Sequence, residues 1–211
     1  YEGYVETYLE PLVSYLMGTE TVDDLNLAEV ERRLTEYEEQ MDSYSAYLNS
    51  VDGLAERAES LKAQAEALRT AKNEANAVQQ LINNLPQESI TSQEMLTQAQ
   101  EALAEIDRAS QELSETAKGY VDWTLYNTTL TNVELYLAKA VTDSIAEALA
   151  AAEENLTDDS TVAAVKAAEE AYQALTADIQ AMVEGADDLE AVKDEIAQKK
   201  NQEFAENGIL T

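Results

Sequence analysis

The chain has 211 residues, 43 acidic against 13 basic, with no histidine and no cysteine, for a formal net charge of -30. That balance repels nucleic acid and anionic membrane surfaces, and the missing residue types exclude disulfides, thiol chemistry, thiolate or imidazole metal sites and the usual imidazole base. No apolar run approaches the roughly 20 residues that span a bilayer, and no charged-then-apolar leader is present, so no membrane insertion is expected of this segment.

The opening residue is a tyrosine, which reads as a mature, processed or excised piece of something longer. Two prolines and six glycines punctuate the chain, and no alternating strand pattern stands out, so the expected class is all-α. The first helix ends near Gly18. It carries Tyr1, Tyr4, Tyr8 and Tyr15 on one face beside a stripe of Val5, Leu9, Leu12, Val13 and Leu16, a wider apolar surface than one bundle seam requires. A polar loop, ETVDDLN, leads to a second helix running to about Asn49, and Gly53 marks the next turn.

From Gly53 to Pro86 there is neither Gly nor Pro, and Leu54, Ala58, Leu61, Ala65, Leu68, Ala71, Ala75, Val78 and Leu85 recur at helix-face separations. One long helix of roughly 45 to 50 Å is predicted, a connector that closes one folded unit and opens the next. The loop QESITS, a helix to about Thr116 and a turn at Gly119 come after it. A second connector is predicted from about Tyr120 to Asn155, with a hinge at Asn127, Thr128, Thr129, Thr131 and Asn132, all poor helix formers. The loop LTDDST, a helix to about Glu184, a turn at Gly185 and a closing helix complete the chain.

These elements repeat. An offset of 69 residues aligns Leu27 with Leu96 and Val165, Val30 with Ala99 and Ala168, Leu34 with Leu103 and Tyr172, and Tyr37 with Ile106 and Leu175. The same offset brings Tyr44 to Leu113 and Met182, Val51 to Tyr120 and Leu189, and Leu54 to Trp123 and Val192. The expected architecture is three tandem antiparallel three-helix bundles, residues 1–69, 70–138 and 139–211, joined by continuous connector helices into an elongated rod. Asn26 with Glu29 and Thr91 with Glu94 have capping-box spacing, and Asp158, Asp159 or Ser160 is expected to cap the third copy.

No residue set points to catalysis. The acidic pairs Asp158 with Asp159 and Asp187 with Asp188 precede helices, where capping and the helix dipole account for them, so no catalytic, cofactor or metal residue is assigned. Tyr120 and Trp123 align with core positions. Tyr126 aligns with Arg57 and Glu195, surface types, and is expected to be exposed. Candidate partner contacts are therefore Tyr1, Tyr4, Tyr8, Tyr15 and Tyr126; the competing reading of the first four is that their helix continues from a preceding copy or packs on a neighbouring domain. Asn127-Thr128-Thr129 and Asn155-Leu156-Thr157 match the glycosylation acceptor pattern, and no weight is placed on either.

The stretches VQQLINNLP (78–86) with ITSQEMLTQAQEALAEI (90–106), and VAAVKAAEEAYQALTADIQAMV (162–183) with DDLEAVKDEI (187–196), resemble the tandem three-helix, spectrin-like modules of Gram-positive surface proteins, including S-layer proteins and giant adhesins. Copy one departs from that pattern, with Gly18 in place of the Leu-Pro and Tyr37 in an aliphatic seam. The resemblance implies a non-catalytic spacer or stalk on a bacterial cell surface, and it transfers no binding residues. Neighbouring domains of the same parent chain would be its partners. Two alternatives stand beside it: an adhesin-type module capturing a host or cell-wall protein or glycan through the tyrosine-rich first copy, and an intracellular spectrin-like scaffold.

Overall fold

The computed structural model describes residues 2–208, and Tyr1 lies outside them. The described residues form helices and turns with no strand, as expected. They begin with α1 (Glu2–Tyr4), a π-helical turn (Val5–Leu9) and α2 (Glu10–Gly18), followed by α3 (Leu27–Leu48), α4 (Leu54–Asn83) and α5 (Gln93–Gln111). Then come α6 (Glu115–Lys118), α7 (Thr124–Glu154), α8 (Asp159–Gln173), α9 (Ala177–Gln180) and α10 (Ala186–Gly208). Packing groups the chain into two compact units, one of residues up to 81 with 106–122, the other of 82–105 with 123 onward. The copies 1–69, 70–138 and 139–211 are a different division, made by recurrence along the sequence.

In the first unit α2, α3 and α4 share a core of Leu12, Leu16, Leu27, Val30, Leu34, Leu48, Leu54, Ala58, Leu61 and Ala65. Ion pairs fix the directions. Glu31 of α3 meets Arg69 of α4 at 2.6 Å and Glu38 meets Lys62 at 2.7 Å, so the two helices run antiparallel. Arg57 of α4 donates to the Met17 carbonyl, and Gln64 accepts from the Val22 amide and donates to the Glu20 carbonyl. Two long α4 side chains thereby satisfy the groups left open where α2 ends.

The second unit has the same plan. There α7, α8 and α10 enclose Val141, Ile145, Ala148, Val165, Ala168, Leu189 and Ile196. Thr161 on α8 donates to the Ala151 carbonyl at the end of α7, and Lys193 on α10 pairs with Glu169 on α8.

Helix α4 is continuous over 30 residues and buries Leu54, Ala58, Leu61 and Ala65 and, past the half-buried Leu68, Ala71, Ala75, Val78 and Ile82, a stripe that drifts around the helix as it runs. No break falls between Arg69 and Asn76. Helix α7 is continuous over 31 residues, including the stretch where a hinge was expected. Its threonines are accommodated individually: Thr128 donates back to the Thr124 carbonyl, and Thr129 is only 1% exposed, with its hydroxyl directed at the Pro86 carbonyl.

The expected second helices of copies two and three are each split. Backbone geometry turns extended at Ser114 and Thr176, giving α5 with α6 and α8 with α9, while in copy one α3 is kinked at Tyr44 (φ -129°, ψ 26°). Four residues beyond Tyr44, Leu113 and Leu175 lie the buried Leu48, Ala117 and Ile179. The next turn repeats bond for bond. Asn49, Ser50 and Val51 donate to the carbonyls of Ser45, Tyr47 and Leu48; Gly119, Tyr120 and Val121 to those of Glu115, Ala117 and Lys118; Ala181, Met182 and Val183 to those of Ala177, Ile179 and Gln180. Placed on these bonds, Met182 is the counterpart of Tyr120 and not of Tyr44, which is why it is 38% exposed where the 69-residue offset expects an apolar core position.

Helix starts also differ in detail from expectation. The second helices begin at Leu27, Gln93 and Asp159, while the buried triplets Leu27, Leu96, Val165 and Val30, Ala99, Ala168 keep the 69-residue offset. Copies two and three therefore lengthen this helix at its N-terminal end. Asn26 makes no capping bond to α3; its amide oxygen instead accepts from Asp23, whose carboxylate takes the amides of Leu25 and Asn26. The second cap is Ser92 and not Thr91, with its hydroxyl accepting from the Met95 amide at 3.2 Å. Asp158 caps the third, accepting from the Ser160 amide at 3.1 Å.

Three substitutions test this packing. Leu61→Ala removes a side chain with no exposed surface from the α2-α3-α4 core and is expected to cost about 2–5 kcal/mol in chemical denaturation. Gly185 has φ +82°, and a Cβ there would sit 3.0 Å from Ile145 Cγ2, so Gly185→Ala destabilises by about 1 kcal/mol or more. Gly18→Ala meets nothing within 4 Å and is expected to be neutral or slightly stabilising.

Candidate functional site

The proline at position 11 shapes the N-terminal surface. Lacking an amide hydrogen, it leaves the Thr7 carbonyl without its helical partner, and its ring crowds that carbonyl. The backbone responds by widening into the five-residue π turn Val5–Leu9, closed by the Glu10 amide donating to the Val5 carbonyl. Across from it, the α3 kink at Tyr44 turns that ring toward α1. Tyr4 stacks on Tyr44 with centroids 4.9 Å apart and planes 10° from parallel, and also touches Tyr8 at 4.8 Å. The Tyr4 hydroxyl donates to Gln40 Oε1 at 3.2 Å.

Beside this stack runs a groove of about 400 Å³, lined by Tyr4, Thr7, Tyr8, Arg32, Glu36 and Gln40 among others. Its charges are matched in pairs. Arg32 bonds Glu29 at 2.7 Å and also Glu36, while Arg33 bonds Glu29 at 2.9 Å and Glu36 at 3.3 Å. The two arginines hold the Glu29 carboxyl below the usual carboxylate range. Arg33 also lies over the ring of Tyr15, 5.3 Å from its centroid.

The tyrosine candidates thus separate. Tyr4 and Tyr15 are half-buried and engaged within the bundle, and Tyr8 alone among the described ones of this helix presents most of its surface, 61% exposed. Tyr126, expected to be exposed, is half-buried and meets Trp123 edge-on at 5.6 Å. Tyr120 and Trp123, expected in the core, are half-buried as well, because both fall in or beside the turn between α6 and α7.

A second cluster has no precedent in the sequence pattern. The Tyr120 hydroxyl donates to Asp24 Oδ2 at 2.8 Å, Lys72 pairs with the other oxygen of Asp24 at 2.5 Å, and the Lys72 ammonium lies 5.1 Å from the Tyr120 ring centroid. Bonds from Lys72 and Tyr120 hold the Asp24 carboxyl below its ordinary range, and the bond to Asp24 together with partial burial pushes the Tyr120 phenol up. On the adjoining turn, the Asp122 amide donates to Gln79 Oε1 at 2.7 Å.

Among the described residues no buried side-chain polar atom lacks a hydrogen-bond partner, and no group of three or more acidic side chains is arranged to hold a metal ion. No described helix is long and apolar enough to cross a membrane.

The ion pairs give a pH test. Lys72 lowers Asp24 and Arg69 lowers Glu31, each chiefly through its hydrogen bond. Depressed folded-state values mean that the stabilisation is complete above the ordinary carboxylate range near pH 4 and is lost as pH falls through the depressed values. A Lys72→Gln, Arg69→Gln double variant is expected to melt slightly below the parent at pH 7 and together with it at pH 2; a gap that survives at pH 2 would assign the stabilisation to packing of the long side chains.

Comparison with protein-family models, with curated proteins and with solved structures finds no match to this chain.

Proposed function

We propose that the chain is a non-catalytic spacer, a stalk segment of a bacterial cell-surface or S-layer-type protein built from three bundle modules in series. The observation that carries this reading is the threefold recurrence of one local unit, a helix interrupted near its end, a short helical turn with the same backbone bonds, and a new helix. In that reading α4 and α7 each serve as the closing helix of one copy and the opening helix of the next. A bend within such a helix must break backbone hydrogen bonds or expose its buried stripe, so length is maintained by helix stiffness, and stability is a sum of module and junction terms. The resemblance to spectrin-like surface modules supports the assignment to the cell exterior, and the 43 acidic residues keep neighbouring stalks apart by charge. Small-angle scattering on the chain should give the pair-distance profile of a rod about three bundles long; a compact, single-peaked profile would remove the proposal.

One observation favours a second reading, an adhesin-type module. Tyr8 offers a large aromatic face beside a groove whose charges cancel, a surface suited to a neutral, hydroxyl-rich ligand such as a cell-wall or host glycan. On a glycan array, Tyr8→Ala is expected to lose at least tenfold in binding with an unchanged melting temperature, whereas Tyr4→Ala, which also loses the Tyr44 stack, lowers both. Equal binding by the parent and Tyr8→Ala would leave these tyrosines as packing groups.

A further inference from the structure

The three residues Asp24, Lys72 and Tyr120 come from places that the repeat keeps apart. Asp24 sits in the loop that opens α3 of copy one, Lys72 lies midway along α4, and Tyr120 belongs to the α6–α7 turn of copy two, 96 residues from Asp24. All three fall in the first compact unit. Asp24 takes an ion pair on one oxygen and a phenol hydrogen bond on the other, and Lys72 also faces the ring of the phenol, so each of the three touches the other two. A closed triangle resists motion that a lone surface pair would follow, because two side chains are already ordered when the third joins.

The corresponding place between copies two and three is chemically different. Counted from the helix cap, Asp24 precedes Asn26 by two residues and Ile90 precedes Ser92 by two; Ile90 is a buried aliphatic residue. Tyr120 corresponds to Met182 by the shared turn bonds, and methionine has no hydroxyl to donate. What the third copy does keep is the backbone tie. The Glu184 amide donates to Thr142 Oγ1 at 3.1 Å, as the Asp122 amide does to Gln79.

We propose that Asp24, Lys72 and Tyr120 form an ionic clasp that locks copy two onto copy one, and that the junction between copies two and three, which has Ile90 and Met182 at the corresponding places, relies on the continuous α7 and its apolar packing instead. The two junctions are then unequal: the first is sensitive to salt and the second indifferent to it. The clasp deepens the spacer reading, yet it is tested separately, since scattering reports on overall length and spin-label distances report on one junction at a time.

The chain has no cysteine, so spin labels can be placed pairwise without interference. Labels at Thr21→Cys and Thr116→Cys, both exposed, report the first junction by double electron–electron resonance; labels at Ser89→Cys and Ala181→Cys, also exposed, report the second. At the first, the distance distribution is expected to be narrow in the parent and to broaden at least twofold in Asp24→Asn, in Tyr120→Phe and in 1 M NaCl. The double variant should broaden no further than either single one. At the second, the parent distribution is expected to be unchanged by salt. Circular dichroism checks that helix content is the same throughout. Equal widths in parent and variants, additive broadening, or a second junction that broadens in salt as the first does would each overturn the clasp.

Discussion

The fold depends on helices that go on burying side chains for longer than one bundle needs them. Helix α4 does so from Leu54 to Ile82, with Leu68 half-buried midway, and α7 from Thr129 to Ala152. A stripe of that length is rarely stable in water on the strength of helix propensity alone; burial of the stripe holds the helix, and the helix keeps the stripe aligned. Small residues, Ala58, Ala65, Ala71 and Ala75, are interspersed along α4 with the larger buried Leu54, Leu61, Val78 and Ile82.

Against that continuity stands a break repeated three times. The segment before each third helix is interrupted at Tyr44, at Ser114 and at Thr176, then resumes for about one turn to bury Leu48, Ala117 or Ile179 before the chain reverses. At Ser114 and Thr176 the backbone is extended for one residue, so the buried anchor that follows belongs to a new short helix at the end of the bundle. Ser114 accepts from the Ala117 amide, so the restarted helix has its own cap.

Much of this could be read in the sequence. Helix periodicity located α3, α4, α7 and α10, and Pro86, Gly53 and Gly185 marked the turns, the two glycines because their φ is positive. The interruptions were missed although a signal existed: Leu-Ser-Glu-Thr-Ala at 113–117 and Leu-Thr-Ala-Asp at 175–178 are start signals set inside an otherwise apolar-periodic run. The expected hinge in α7 failed for the opposite reason, since low intrinsic propensity at Thr128 and Thr129 is offset by one back-bonded hydroxyl and one buried side chain. Nothing local could have paired Tyr4 with Tyr44 or Asp24 with Tyr120. Those contacts join distant segments, and the pattern within each stretch says nothing of its partner.

The unbroken stripe of α4 has a consequence for how such a chain can change length. Each residue inserted into a straight helix shifts the downstream turns by about 1.5 Å and rotates them by about 100°. A single insertion between Ala65 and Ala71 would therefore swing Ala75, Val78 and Ile82 out of the face they now occupy. Only insertions close to whole turns, of about seven or eleven residues, would restore their azimuth. Helices α4 and α7 thus admit a change of length only in quanta, which ties the spacing of whatever lies at either end of each to a discrete set of distances and angles.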